Sequence, residues 1–392
     1  MAREACAGSV PIVDRSAVAA VEGLFAPSRA VAAHPAVHAV SRIAHDTLAP
    51  HAAAADDPAR GVEPAHVALL ADTGLLSVGI PEAEGGVGGD PRVGIETVEL
   101  LSGACGATWF VVTQHQMPQT VARGTLGLGD RWTPGPAVAR HRVGLATGRT
   151  RAGIAVAHLR RPGAPAVRAE PDDAGWRLSG TSDWCTGWGL IDVVMIAGST
   201  PDDRIVLALV PARDAPGLRA GPPLRLSVMG GTRTVPLTMD GFAVQPDDVL
   251  AVVDGAAWRT ADDARTANAM PAAVGLLRRI VAALGALGEQ RGRPEAVHTA
   301  LHLGSHGAAL RAQAYDLLLD APAGEYTAER IALRGELAAL TVRAAHALIA
   351  ARSGSALLAD NPEQRWAREA AFHLVQAQTH AVREAQLAAF AR

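Results

Sequence analysis

Three textures of hydrophobic and polar spacing follow one another along the chain. Residues 1–135 are rich in alanine, with apolar positions at helical spacing. In "VEPAHVALLADTGLLSVGIPEAEGGVGGD" a helix is predicted to end at Gly74. A short apolar piece and a glycine turn at Gly85, Gly86, Gly88 and Gly89 follow it. Residues 136–255 change to short apolar or alternating runs, such as "RVGLATG", "GIAVAHL", "GWRLSGTSDW", "LIDVVMIAG" and "RIVLALVPA". Clusters such as "EPDDAG" and "STPDDR" separate them, which predicts an antiparallel β domain, a sandwich or barrel.

Residues 256–392 return to helical spacing. Val274, Leu277, Val281, Leu284 and Leu287 recur every three or four positions, as do Leu333, Leu337, Leu340, Ala344 and Leu348. The breakers "RGRPEA", "DAPAGEYTAE" and "ADNPEQ" divide this part into four helices of bundle length. Helical, then β, then helical again gives an α+β class that is mainly α. It is not the βαβα alternation of a dinucleotide-binding sheet. "GGVGG" does not match GxGxxG and reads as a turn.

Composition narrows the chemistry. The 392 residues suffice for two or three domains, and 49% hydrophobic with 19% charged is ordinary for a folded globular protein. The net charge of −3 carries no basic excess, so neither nucleic acid nor an anionic membrane surface is expected as a partner. Every one of the 36 basic residues is arginine. Without lysine there is no Schiff base and no P-loop lysine. Cys6, Cys105 and Cys185 are odd in number and widely spaced, which fits a reduced, cytoplasmic setting. The N-terminus lacks the pattern of a signal peptide. No run reaches ~18 uninterrupted apolar residues, so no membrane span is expected.

The segment "TSDWCTGWGLIDVVMIAG" holds Trp184 and Trp188 of the seven tryptophans. On spacing alone it reads as sheet core with satisfied hydroxyls. Beside the other motifs it reads differently. "LLADTGLLSVGIPEAEGGVGGD", "GWRLSGTSDWCTGWGLIDVVMIA", "LRLSVMGGTRTVPLTMDGFAVQPDDVL" and "PEQRWAREAAFHLVQAQTHAVRE" resemble, in order, four motif segments of the acyl-CoA dehydrogenase superfamily. The resemblance covers most of the chain. It implies an N-terminal helical domain, a central β domain and a C-terminal four-helix bundle, assembled as a homodimer or homotetramer. It also implies FAD between the β domain and the bundle. Trp184 would then pack on the isoalloxazine ring, with Cys185 beside it. Thr186 would hydrogen-bond near the N5 edge, Thr379 would contact the flavin side of the site, and Trp188 returns to the core.

The departures from the family concern chemistry. The family's usual glutamate precedes "G-T" in the C-terminal motif, and Ala377 stands there, flanked by Gln376 and Gln378. Alanine cannot act as a base. Some members place the base on the first bundle helix before an arginine. In "ADDARTAN" the resemblance points to Asp263, near Arg265, against the plain reading of a solvated acid near a helix start. In the loop that cradles flavin and the CoA arm, His158 replaces a threonine, and Arg160 and Arg161 follow. The "R-x-x-F-G" segment that reaches a neighbouring subunit's FAD keeps Arg291 and Arg293 without Phe-Gly.

Two further constellations remain. His115, in "ATWFVVTQHQMPQT", is either a pocket acid/base or a hydrogen-bonded core histidine. His298, His302 and His306 share one helix face, but no HExxH accompanies them. A polar face or subunit contact is expected there, and no metal.

The first functional expectation is a flavin-dependent oxidoreductase acting on an acyl thioester, CoA- or carrier-protein-linked, or a related small molecule. An electron-transfer partner would accompany it. The second is a two-component flavin monooxygenase on the same fold, taking reduced FMN or FAD from a partner reductase. The third is a scaffold without redox activity.

Overall fold

The computed structural model describes residues 17–129, 131–173 and 175–392; Cys6 lies outside them. Nine helices precede or interleave the first strands: α1 (Ala17–Leu24), α2 (Arg29–Ala32), α3 (Pro35–Ile43), α4 (Ala49–Asp56), α5 (Pro64–Asp72), α6 (Pro91–Ala104), α7 (Gly106–Thr113), α8 (Gln116–Ala122) and α9 (Ala137–Ala146). The strands are β1 (Trp132–Pro134), β2 (Ala152–Ala155), β3 (Val167–Asp172), β4 (Gly175–Cys185), β5 (Val193–Ser199), β6 (Arg204–Pro211), β7 (Leu218–Ala220), β8 (Val235–Val244) and β9 (Val249–Asp254). Six helices end the chain: α10 (Gly255–Thr266), α11 (Pro271–Gln290), α12 (Pro294–Asp320), α13 (Thr327–Arg352), α14 (Pro362–Val375) and α15 (His380–Phe390).

Local chemistry explains the starts and stops. Pro64, Pro91, Pro271, Pro294 and Pro362 each occupy a first helical position, where the missing N–H costs nothing. Asp90 and Asp254 cap α6 and α10 by accepting backbone N–H bonds from Arg92 and Ala257. Gly74 follows α5 with φ +75°, the left-handed stop expected from the sequence. The bundle region holds more helices than its three strongest breakers predict. Pro271 divides α10 from α11, and the turn 376–379 divides α14 from α15.

The sheet runs β1-β9-β6-β5-β3-β4-β8-β7, with β2 also paired to β5. Most pairs are antiparallel, but β2 and β3 both lie parallel to β5. The sheet is therefore mixed rather than purely antiparallel. Alternation along a strand reports which face is buried and carries no information on direction. β5 is buried on both faces. Val193, Met195 and Ala197 join a core with Leu145 of α9 and Trp258 of α10, while Val194 and Ile196 point into the core enclosed by β3, β4 and β8.

The helical layers meet where α6 crosses α11. A Cβ built on Gly275 would lie 2.1 Å from the Glu99 carbonyl oxygen, and one on Gly103 would lie 2.7 Å from the Gly275 carbonyl oxygen. Only glycine admits that approach. At the same crossing Glu96 and Glu99 of α6 are buried, and both bind Arg278 of α11 (2.9 and 2.5 Å) and Arg311 of α12 (3.2 and 2.7 Å). Tyr315 donates to Glu99 at 2.6 Å. The bundle core of Leu277, Ile280, Leu284, Leu340 and Leu348 also takes in Val21 of α1 and Phe25 just beyond it, so the first helix belongs to it. The apolar stretch across α10 and α11 is long enough to cross a membrane, yet most of it is buried within the molecule.

Replacing Gly275 by alanine is expected to cost about 1–3 kcal/mol, the usual range for overpacking. Urea unfolding of the variant measures it. A loss below about 0.5 kcal/mol, the scatter of ordinary surface changes, would contradict the close crossing.

Candidate active site

Strand β4 sets up the first wall. Before Cys185 its buried positions are Leu178 and Ser182; a first register shift with β8 lies between Leu178 and Gly180, and a second between Ser182 and Cys185. That bulge turns Trp184 outward, leaving it 44% exposed, while Ser182 and Cys185 face the interior. Cys185 belongs to the sheet core, and burial pushes its thiol pKa up to about 12. It therefore stays a thiol, turned away from the side on which Trp184 stands.

Thr186 is buried and opens a chain of three hydroxyls. Thr232 donates to the Met229 carbonyl at 2.7 Å. Its oxygen lies 2.9 Å from the Thr234 hydroxyl, which lies 3.1 Å from that of Thr186. Each hydroxyl has one proton. Since Thr232 spends its proton on Met229, Thr234 donates to Thr232, and Thr186 donates to Thr234. What Thr186 offers to any ligand is then a lone pair.

The second wall is charged. The loop after β2 carries Arg160, which donates to both Asp262 oxygens, at 2.6 and 2.9 Å. Arg265, one turn on from Asp262 in α10, also donates to it. Burial would raise the Asp262 pKa. The Arg160 hydrogen bond and the Arg265 charge outweigh it and hold the carboxyl below its usual range. Burial likewise depresses Arg265, although 45% of its side chain remains open, the signature of a group standing in a recess. Next to Arg160, Arg161 pairs with Asp183, the neighbour of Trp184. The two walls therefore adjoin.

Arg334 of α13 closes the recess. It is buried and donates to the carbonyls of Thr266, Gln376 (2.6 Å) and Ala377 (3.3 Å). Burial, and then the charges of Arg160 and Arg265, bring its pKa down to about 10. Its Nε has no partner among the described residues. Ala377 adopts a left-handed φ of +47°, an unusual conformation for a residue with a Cβ. Two guanidinium groups thus bind the Asp262 carboxylate, and a third, that of Arg334, feels their charges and that of Asp262.

Several candidates from the sequence make no hydrogen bond to this charged cluster. Asp263 is exposed on α10, while its neighbour Asp262 turns inward. Thr379 caps α15, accepting from the Val382 N–H at 3.4 Å. Arg291 is exposed at the end of α11 and donates to the Arg352 carbonyl at 3.3 Å. His298 and His302 are exposed on α12.

His115 and His158 are struts. His115 Nε2–H donates to the Leu145 carbonyl (2.9 Å), and Nδ1 accepts from the Ala152 N–H (3.1 Å). His158 Nε2–H donates to the Ala197 carbonyl (3.2 Å), and Nδ1 accepts from the Ser182 hydroxyl (3.1 Å). Burial drives both pKa values down to about 4, partly opposed by those carbonyl bonds.

Arg334, Thr232 and Thr234 escaped the sequence reading. Arg334 had a usable signal: with Arg330 it continues the buried stripe of α13 through Leu337, Thr341 and Leu348, where an apolar residue would be expected.

A helical layer, a central mixed sheet and a helical bundle, in that order, constitute the acyl-CoA dehydrogenase fold. Residues 34–138 match the family model "Acyl-CoA dehydrogenase, N-terminal domain". A curated relative, the probable acyl-CoA dehydrogenase FadE25 of Mycobacterium tuberculosis, is 27% identical over 228 residues, 57% of each chain. The chain thus matches little more than half the length of that relative. Among solved structures, a glutaryl-CoA dehydrogenase from Mycobacterium smegmatis in complex with FADH2 superposes with a TM-score of 0.70 at 16% identity, covering 91% of this chain and 93% of the other. Dibenzothiophene monooxygenase TdsC from Paenibacillus sp. A11-2 superposes with a TM-score of 0.71 at 17% identity, covering 90% and 96%. The chain is thus similar in sequence to the acyl-CoA dehydrogenase family over residues 34–138 and to that relative over 228 residues, and shares the fold across most of its length.

The histidine struts set a pH dependence. Between pH 6.5 and about 4 the unfolded chain takes up protons on these rings that the native state refuses. Their stabilisation is complete above pH 6.5 and is lost as pH falls towards 4, by up to about 3 kcal/mol per ring. The urea midpoint should therefore drop between pH 7 and pH 5. In the double variant H115Q/H158Q the drop should shrink, even though the variant is weaker at pH 7. An unchanged pH slope would show that neither ring is held neutral.

Proposed function

We propose that the protein is a flavin-dependent oxidoreductase acting on an acyl thioester, CoA- or carrier-protein-linked, or a related small molecule. The observation that carries this reading is the exposed indole of Trp184 beside a recess with three arginines and one carboxylate. A flat apolar wall next to surplus cationic donors suits a flat, anionic cofactor. The residues present fit FAD. Trp184 would face the ring, Thr186 would meet its edge, and the guanidinium groups would balance phosphate or developing oxyanion charge. Thr379 and the loop with His158 would line the same site, and Arg291 would reach the flavin of a second subunit in a homodimer or homotetramer.

When bound, flavin supplies a two-electron acceptor or, delivered reduced, a donor to oxygen. The chain's own part is to bind, orient and balance charge. Asp262 is fully engaged by Arg160 and Arg265, and Ala377 carries only a methyl group. In the dehydrogenase reading the proton-accepting carboxylate is Asp263, with an electron-transfer protein as partner. His115 enters as a positioning group, since both its nitrogens are engaged.

One observation favours the second reading, a monooxygenase that receives reduced flavin from a reductase. The hydroxyl chain ending at Met229 leaves Thr186 as an acceptor. Reduced flavin presents an N–H at its N5 edge, whereas oxidised flavin presents a lone pair there.

Equilibrium binding with oxidised and with photoreduced FAD and FMN tests both readings. Binding of oxidised FAD, bleached anaerobically by an acyl thioester and lost in D263N, supports dehydrogenation. Tighter binding of the reduced form, with oxygen uptake, supports the monooxygenase. No binding in either state would leave a scaffold. W184A should weaken flavin affinity about tenfold through loss of stacking and buried area. T234V, which frees the Thr186 proton, should lower the affinity ratio of reduced to oxidised flavin; an unchanged ratio would remove the hydroxyl chain from flavin recognition.

A further inference from the structure

We propose that His51 and His66, at the surface where α4 meets α5, form a two-nitrogen site for a divalent transition-metal ion of the zinc class. None of its residues belongs to the recess around Trp184 and Asp262, so this inference stands apart from the flavin reading.

The two ring centroids lie 5.1 Å apart, with the planes at 65°. Two imidazoles bound to one tetrahedral ion through metal–nitrogen bonds of about 2.0–2.1 Å have their centroids roughly 5 Å apart. The rings therefore already stand at the separation that a shared ion requires. His51 is also prepared for that role. Its Nδ1 lies 2.7 Å from the Thr47 carbonyl oxygen, which can only accept. In the neutral ring the proton thus sits on Nδ1, and Nε2 carries the lone pair. A ring N–H donated to a backbone carbonyl is the usual support of a metal-bound histidine. Thr47 belongs to a π-helical turn, Ala44–Leu48, that runs directly into α4.

His66 has no competing engagement. It is 8% exposed, yet its ring makes no hydrogen bond among the described residues, and neither ring nitrogen is sealed from solvent. Burial lowers its pKa, opposed by the charge of Glu63 and aided by that of His51, which favours the neutral form that a metal binds. Glu63, exposed three residues earlier, brings negative charge beside the site, and no arginine is among the charges that act on His66. Among the described residues no third imidazole, thiol or carboxylate converges on the pair. Water therefore completes the coordination, and the affinity is lower than with four protein ligands. Imidazole nitrogens favour zinc, copper or nickel over magnesium and calcium, which prefer oxygen. An ion held here would join α4 to the first turn of α5 across residues 57–63. That loop meets the segment leading into β8, since the Val62 N–H donates to the Gly231 carbonyl at 3.0 Å.

Isothermal titration of the metal-free full chain with zinc chloride, in a buffer without chelators or phosphate, tests the site. The wild type should bind zinc saturably and give no response to magnesium at the same concentration. H51Q, which changes an exposed ring and spares the core, should weaken one equivalent of zinc by about tenfold or more, at least the loss seen when a supporting group is removed. H302Q, which breaks the i, i+4 spacing of the exposed histidines on α12, should keep that equivalent. E63Q should weaken binding several-fold through loss of charge alone. Hydrogen exchange read by mass spectrometry locates the ion independently: zinc should slow exchange across α4, α5 and the loop between them in the wild type and not in H51Q. Absence of saturable zinc binding, equal binding by wild type and H51Q, or loss of the same equivalent in H302Q would overturn the proposal.

Discussion

The buried charge cluster at the α6–α11 crossing is the interaction on which the rest of the arrangement depends. Two carboxylates of one helix share the guanidinium groups of two others, and Tyr315 completes the set. Such a cluster adds little net stability compared with an apolar packing, but removing one member leaves a buried charge without a partner. It thus fixes the register in which the N-terminal helices meet the bundle. The glycine pair at the same crossing holds the helices so close that this register cannot slide by a turn without steric conflict. Asp56 of α4 then meets Arg368 of α14 and the Met229 N–H, which links both helical layers to the segment that leads into β8.

Most of the fold was legible in the chain. Helical spacing, short strands and helical spacing again appeared in the observed order, and Gly74 and the prolines marked helix ends. The parallel pairing of β2 and β3 with β5 was not legible, because strand direction depends on long-range partners and leaves no local trace. Within the recess, the family resemblance and not the spacing singled out Trp184, while the side on which it emerges follows from a bulge that only the partner strand β8 reveals. Asp262 and Asp263 are adjacent acids, and no sequence pattern says which turns inward; Arg160 decides it from a hundred residues away. Arg334 was readable in principle, as a cation in an apolar stripe, but its carbonyl partners lie on other elements and leave no local trace.

The absence of lysine acquires a structural meaning here. A guanidinium stays charged at any pH the protein meets, and it can bind two acceptors while stacking on a ring. Arg160 holds Asp262 in that bidentate manner, Arg334 gathers three carbonyls, and Arg279 and Arg365 share one indole. A lysine at any of these positions would supply the charge without the planar fork, and burial would tend to neutralise it.

The turn at Ala377 constrains how this lineage can change. Its left-handed backbone costs a residue with a Cβ about 1–2 kcal/mol, and Arg334 offsets that by binding the carbonyls on both sides of the peptide link. A glutamate introduced at this position would inherit both the strain and a guanidinium bound to its own carbonyl. Its carboxylate would be drawn towards surplus positive charge and made a weaker base. Placing an effective base at this turn therefore takes concerted replacement of Ala377 and Arg334. Two simultaneous changes form a much narrower mutational path than one, so the present electrostatics act as a ratchet.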